Sequence, residues 1–168
     1  HYITDGFRSI DRTTGLRASQ HVALTPSLTV EGGADVVRYG GRARNVVQGI
    51  QYGRHHLGSE AGFARAEWMP AARLRLHSGL RYEHHSAFGG LVVPEARFGI
   101  SLHPRYTLSA QVGRGFRNPT IRELYLFPAP NPELLPEHLW NYQVSLRARP
   151  AETLEASLTT YYADLRDG

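Results

Sequence analysis

Hydrophobic and polar residues alternate with a period of two along most of this chain. In residues 72–83, Leu74, Leu76, Leu80 and Tyr82 fall on one face, and Arg73, Arg75, His77, Arg81 and Glu83 on the other. Residues 139–149 repeat the pattern, with Trp140, Tyr142, Val144, Leu146 and Ala148 opposite Asn141, Gln143, Ser145, Arg147 and Arg149. Similar runs cover 92–102 and 153–163, and weaker ones cover 14–24, 28–38, 60–69 and 107–114. No stretch carries a convincing helical period. The pattern predicts an all-β chain of about eight strands.

Two kinds of connection alternate between these strands. Short Pro-containing turns are predicted at 24–27, 69–72, 103–106 and 149–152, and longer loops at 39–59, 84–91 and 115–138. Short turns on one rim and long loops on the other are the arrangement of an up-and-down membrane barrel. Each predicted strand is near ten residues, close to the ~9–11 that cross a bilayer when tilted. A soluble sandwich also alternates, so the period alone leaves the solvent open. Trp68, Tyr82, Trp140 and Tyr162 near strand ends resemble interfacial girdles, and the polar faces rich in Arg, Glu and His suit a wet lumen. Leu74, Leu76, Leu80, Phe98, Ile100, Val144 and Leu146 are therefore expected to face lipid.

Charge changes this picture little. The chain has 168 residues, 41% of them hydrophobic, and a formal net charge of +4. Its 19 basic residues are all arginine, scattered at alternate positions with no basic block or RNA-binding signature, which argues against a nucleic-acid partner. Cysteine is absent, so neither a disulfide framework nor a thiolate metal site is available. No apolar run is long enough for a membrane helix, and the opening His1-Tyr2-Ile3-Thr4 has no signal-peptide features.

The most specific segment begins Gly113-Arg114-Gly115-Phe116-Arg117-Asn118-Pro119-Thr120-Ile121-Arg122-Glu123-Leu124-Tyr125 and continues to Asn131-Pro132-Glu133-Leu134-Leu135-Pro136-Glu137. It resembles the barrel of TonB-dependent outer-membrane receptors, in which G-F-R-x-P-T-x-x-E-L-Y is followed by N-P-x-L-x-P-E. The residues carrying the resemblance are Gly115, Phe116, Arg117, Pro119, Glu123, Leu124, Tyr125, Asn131, Pro132, Leu134, Pro136 and Glu137. Physically, Gly115 relieves crowding at the rim, Pro119 stops the strand, Arg117 is placed to pair with Glu123, and Pro132 and Pro136 keep the return path extended. These residues read as builders of the loop.

The resemblance implies a barrel of about twenty-two strands around an N-terminal plug, in a Gram-negative outer membrane. Residues 1–168 would then be part of that barrel's wall, about four hairpins, without plug or C-terminal strand. It further implies TonB-dependent uptake of a metal chelate, with ferric siderophores ahead of cobalamin and other metal complexes. The expected partners are outer-membrane lipid and lipopolysaccharide, the chelate, and the TonB complex acting through the plug. A small structural or adhesive outer-membrane barrel and a soluble β-sandwich binding module are the alternatives.

Candidate ligand contacts lie in the three predicted loops. They are Arg42, Arg44, Tyr52, Arg54, His55 and His56 in the first, His84, His85 and Phe88 in the second, and Tyr125 and Phe127 in the third. Arginines suit an anionic chelate and aromatics its flat apolar parts. The same residues would equally meet lipopolysaccharide phosphates or solvent. Adjacent histidines on an extended chain point to opposite sides, so neither His55-His56 nor His84-His85 is by itself a metal site. Residues 120–130 hold no histidine, against the pattern of haem receptors. No nucleophile elbow, zinc-hydrolase motif or phosphate loop is present, and no enzymatic activity or resident cofactor is expected.

Overall fold

The computed structural model describes residues 6–126 and 129–166. The alternation folds into one sheet of eight strands: β1 (Phe7–Thr25), β2 (Leu28–Asn45), β3 (Ile50–Ala71), β4 (Leu74–His85), β5 (Gly89–His103), β6 (Tyr106–Arg117), β7 (Glu137–Ala151) and β8 (Leu154–Arg166). Each strand pairs antiparallel with its sequence neighbour, in the order β1 to β8. β1 and β8 are the two edges, so the sheet is open. It is neither a two-layer sandwich nor a closed eight-stranded barrel.

Register fixes the faces. Leu74 lies opposite Ile100, Leu76 opposite Phe98 and Leu146 opposite Leu108, while Val144 lies between Ala110 and Thr160. All the predicted lipid-facing residues therefore share one side. The other side carries the charges, and its cations are interleaved with acids. Arg81 grips Asp35 at 2.7 and 2.9 Å and Glu83 at 2.8 Å. Arg65 lies 3.3 Å from Glu95, and Arg75 lies 3.4 Å from Glu67. The guanidinium carbons of Arg17 and Arg65 sit 4.8 and 5.4 Å from the centroid of the half-sandwiched Phe63 ring. Gly33 leaves room for that ring: a Cβ there would stand 2.6 Å from Phe63 Cζ.

Strand length departs from expectation. The strands run from 12 to 22 residues, well beyond a minimal span. β2 and β3 stay paired up to Asn45 and Ile50, so the predicted loop 39–59 is mostly ladder, closed by a turn at 46–49. The predicted loop 84–91 likewise shrinks to a turn at 86–88. Glycines at 40, 41, 53 and 58 gave this region the texture of a loop. At least one is a packing requirement: a Cβ on Gly41 would collide with the Ile10 carbonyl of the neighbouring strand. Only 118–136 is a long connection, and it contains a short helix, α1 (Ile121–Tyr125), which the period-two reading did not anticipate.

The opposite rim has a repeated construction. Two-residue turns lie at 26–27, 72–73, 104–105 and 152–153. Beside each, the incoming strand carries one residue more than its partner, a β-bulge. Pro70 and Pro150 sit in two of these bulges, inside β3 and β7 rather than in the turns, where a missing N–H breaks no regular ladder bond. The next ladder then runs onto the turn itself. Met69 N donates to Ser27 O at 2.7 Å, Ser101 N to Arg73 O at 2.8 Å, and Arg149 N to Arg105 O at 2.8 Å.

The buried residues gather on the charged side near the long-loop rim. Ala43, Leu57, Ala61, Phe63 and Leu124 are buried there with Asn45, Glu83 and His85.

Candidate functional site

The 118–136 connection is held by the residues of its two sequence boxes. Arg117, the last residue of β6, donates through Nη1 to both oxygens of Glu123 at 3.0 and 3.1 Å, and through Nε and Nη2 to Glu137 at the start of β7. One guanidinium thus ties the two strand ends to the helix between them, in the forked geometry that favours arginine. Thr120 is the N-cap of α1. Its Oγ1 accepts from Glu123 N at 3.3 Å, while Glu123 Oε2 accepts from Thr120 N at 2.7 Å, completing a capping box. Pro119 and Leu124 occupy the N′ and N4 positions of a hydrophobic staple, and both are buried. The second box returns to this turn. Asn131 N donates to Glu123 O at 2.9 Å, and Asn131 Oδ1 accepts from Glu133 N at 3.0 Å.

Hydrogen bonds from Thr120 N, Thr120 Oγ1 and Arg117 hold the Glu123 carboxyl down at a pKa of about 2, the two from Thr120 weighing most. The depressed value makes the carboxylate's contribution complete above its ordinary range near 4.5; it declines only as the pH falls from there towards 2. Amide exchange of α1, corrected for intrinsic rate, should therefore be flat from pH 5 to 8. Glu123→Gln should keep most of the cap and lose the charge-assisted bonds to Arg117, whereas Glu123→Ala should open the turn more, by about 1 kcal/mol for a lost cap. Equal exchange in the two variants would show that the capping box is not what holds α1.

The tied loop leans onto the charged side of β3. Tyr125 stacks on His55 with ring centroids 4.2 Å apart and planes 2° from parallel. His55 Nε2 lies 2.7 Å from Tyr52 O, which fixes the imidazole under the tyrosine. On the next hairpin, Tyr39 Oη is 3.0 Å from His85 Nε2, and Phe88 stacks on the same imidazole at 4.8 Å. His85 Nδ1 also accepts from Ala87 N at 3.2 Å, closing the turn. Aromatic and imidazole groups from three connections thus converge on the inner side of one rim.

Beside them the wall opens. The β5–β6 ladder ends at Glu95 and Gly113, next to Pro94, which has no N–H. Above that point the two hairpins part and leave a cleft of about 220 Å³, lined by Glu83, His85, Phe88, Phe116, Leu135 and His138 among others. His138 Nδ1 is buried without a hydrogen-bond partner among the described residues. The cleft has one carboxylate, two imidazoles and an apolar floor.

The candidate contacts divide by strand parity. His55 and His85 point inward with Tyr125 and Phe88 about them. Arg42, Arg44, Arg54, His56 and His84 have the opposite parity and are exposed on the outward face. Tyr52 is half-buried against the edge of the Phe7 ring, and Phe127 lies outside the described residues. Sequence reasoning placed Glu83 on the charged face, where it pairs with Arg81, and named neither Tyr39 nor His138 as a candidate contact. Tyr39 was signalled by its parity with Asp35 on β2; His138 had no signal, because its exposure to the cleft depends on where the β5–β6 ladder stops.

Residues 4–168 match the family described as TonB dependent receptor-like, beta-barrel. An iron-regulated outer membrane virulence protein of Vibrio cholerae serotype O1 is 32% identical over 120 residues, covering 64% of this chain and 18% of its own length. The vitamin B12 transporter BtuB of Photobacterium profundum is 23% identical over 97% of this chain and 26% of its own length. The chain thus spans about a fifth to a quarter of these relatives. In fold it is similar to the siderophore receptor PirA of Pseudomonas aeruginosa, with a TM-score of 0.82 over 94% of this chain and 32% of that one at 18% identity. With lipid-facing stripes, a charged inner side and the two boxes in place, the chain belongs to the TonB-dependent receptor β-barrels of the Gram-negative outer membrane.

Proposed function

We propose that this chain forms part of the wall and extracellular rim of a receptor that takes up a metal chelate, a ferric siderophore, by TonB-dependent transport. The observation that carries the reading is the convergence of Tyr125, His55, Tyr39, His85 and Phe88 on the inner side of the long-loop rim. Flat aromatic faces and imidazole donors there suit a large chelate with planar apolar parts and an anionic edge. The name of the Vibrio relative, an iron-regulated protein, and that of the PirA structure, a siderophore receptor, support iron as the metal. The BtuB relative, matched over nearly the whole chain, favours a corrinoid as the second reading. In either case the plug would sit in the lumen against the arginine- and glutamate-lined face, and the TonB complex would act through the plug. We assign this chain no catalytic step.

The test is uptake by cells that carry the complete receptor as their sole route for the tested chelate, with and without TonB. TonB-dependent accumulation of iron from a siderophore panel, without cobalamin uptake, supports the first reading; the reverse supports the second. The inward cluster makes a residue-level prediction. Replacing His55 and Tyr125 together with Ala should weaken binding of the transported chelate about tenfold, through loss of one stacked platform. Unchanged affinity, measured by equilibrium titration on the purified receptor, would remove the pair from the site.

A further inference from the structure

The outward face of β1–β3 carries an arginine cluster that neither the lumen nor the ligand rim explains. Arg8 lies directly opposite Arg44 across the β1–β2 ladder, and Arg42 lies directly opposite Arg54 across β2–β3. Arg12 and Arg38 complete the group, one and two outward positions below Arg42. All six side chains are exposed. Like charges directly opposite on a sheet repel and destabilise it, so two such pairs side by side need an external anion to be favourable. Carboxylates do not supply it. Only Glu60 shares this face on β1–β4, and it is bound to Arg38 at 2.6 Å. Among the described residues, Arg8, Arg12, Arg42, Arg44 and Arg54 have no carboxylate within 4.0 Å. The inward arginines, by contrast, are threaded with Glu and Asp.

Position along the strand identifies the anion. On β3 the outward residues run from Trp68, beside the short turn, through Ala66, Ala64 and Gly62 to Glu60, His56 and Arg54. At about 3.4 Å per residue, Arg54 lies roughly 48 Å along the strand from Trp68. A tilt of about 40° converts this to roughly 36 Å of height, above an apolar band about 25 Å tall. The cluster therefore stands at and above the headgroup level of the outer leaflet, on the face turned towards lipid. Ile10, exposed between Arg8 and Arg12, adds an apolar contact there.

We propose that this surface binds the phosphate groups of lipopolysaccharide, with the Arg8–Arg44 and Arg42–Arg54 pairs each taking a phosphate between two guanidinium groups. Arginine's planar fork matches phosphate oxygens in two-point contact. The outer leaflet supplies the anion at high local concentration, and the cross-strand repulsion is relieved when it binds.

The experiment uses the complete receptor in detergent. Wild-type protein is titrated with lipopolysaccharide, with the same glycolipid after phosphatase treatment, with phosphatidylglycerol and with inorganic phosphate, and bound species are counted by native mass spectrometry. Intact lipopolysaccharide should bind at least tenfold more tightly than the dephosphorylated form or phosphatidylglycerol, and inorganic phosphate should compete only weakly. A variant with Arg8, Arg42, Arg44 and Arg54 all changed to Gln should lose that preference, while its all-Lys counterpart, which keeps the charge but not the two-point contacts, should keep only part of it. Equal binding of the two glycolipid forms by wild type would overturn the proposal whether or not the variants fold. Tighter binding of phosphatidylglycerol would assign the surface to ordinary phospholipid and overturn it as well.

Discussion

A receptor carrying Val144→Arg should unfold from phospholipid vesicles with a stability about 2–4 kcal/mol below wild type. Val144 lies near the middle of β7, on the face shared with Ala110 and Thr160, and 46% of it is exposed to whatever surrounds the wall. An arginine there has no lumen water within reach of its own strand, and snorkelling to either interface costs side-chain freedom. Gln143, the next residue, points the other way and is bonded to Gln111 at 3.1 Å and to Ser145 at 3.2 Å. Gln143→Arg should cost well under about 1 kcal/mol beyond those bonds, since the inner face already holds arginines in water. Urea titration of both variants in vesicles of one lipid composition gives the comparison. Equal costs would mean that the two faces do not meet different solvents.

Leu124→Ala should release the 118–136 connection without unfolding the wall. Leu124 is 1% exposed, the most deeply buried large side chain described, yet it lies on a five-residue helix that cannot persist alone. Removing a buried leucine side chain to alanine costs about 2–5 kcal/mol. Here the loss falls on local opening, because the ladders of β6 and β7 do not depend on the helix. Amides of α1 and Asn131 should exchange at least about 30-fold faster at 2 kcal/mol, with β7 amides unchanged. Tyr125 would lose its fixed stack on His55, so chelate binding should weaken in the same variant. Faster exchange confined to β6 and β7, or no change in α1, would contradict the staple.

What the sequence made legible follows from what each signal measures. The period of two located every strand and its face, because an open wall between two solvents repeats a single rule from end to end. The short turns were legible too, though Pro70 and Pro150 proved to mark bulges beside turns and not the turns themselves. The strand extensions were hidden because glycine and arginine replace aliphatic residues above the lipid band, and both compositions read as loop. The helix was hidden because five residues carry no period; its capping box, Thr120-x-x-Glu123, was the local signal that overrode it. Arg117 and Glu123 were legible as a pair from sequence. The second arm of Arg117, to Glu137, was not, since it depends on how the second box folds back through Asn131. The division of His55 and His85 from His56 and His84 needed only parity, but parity could not be carried through stretches read as loops.

The single extra residue beside each short turn has a consequence for how such a wall tolerates changes in length. Because the next ladder is bonded to the turn, through pairs such as Met69 N to Ser27 O, the turn cannot slide to absorb a deletion. Loss of one residue at 69 or 70 would instead be taken up by the bulge: two steps on each strand would then separate the Trp68–Leu76 and Ala71–Leu74 pairs, and Phe63 and Arg65 would keep their face. Removal of both would place Trp68 opposite Arg75 and leave β3 one step out of phase, sending Phe63 and Arg65 to the lipid side and Ala64 and Ala66 to the lumen. Beside the short turns these walls should therefore tolerate loss of the single bulged residue better than loss of two. At 118–136, where no ladder carries the phase across, any length that still allows the Arg117 clasp is compatible with the wall.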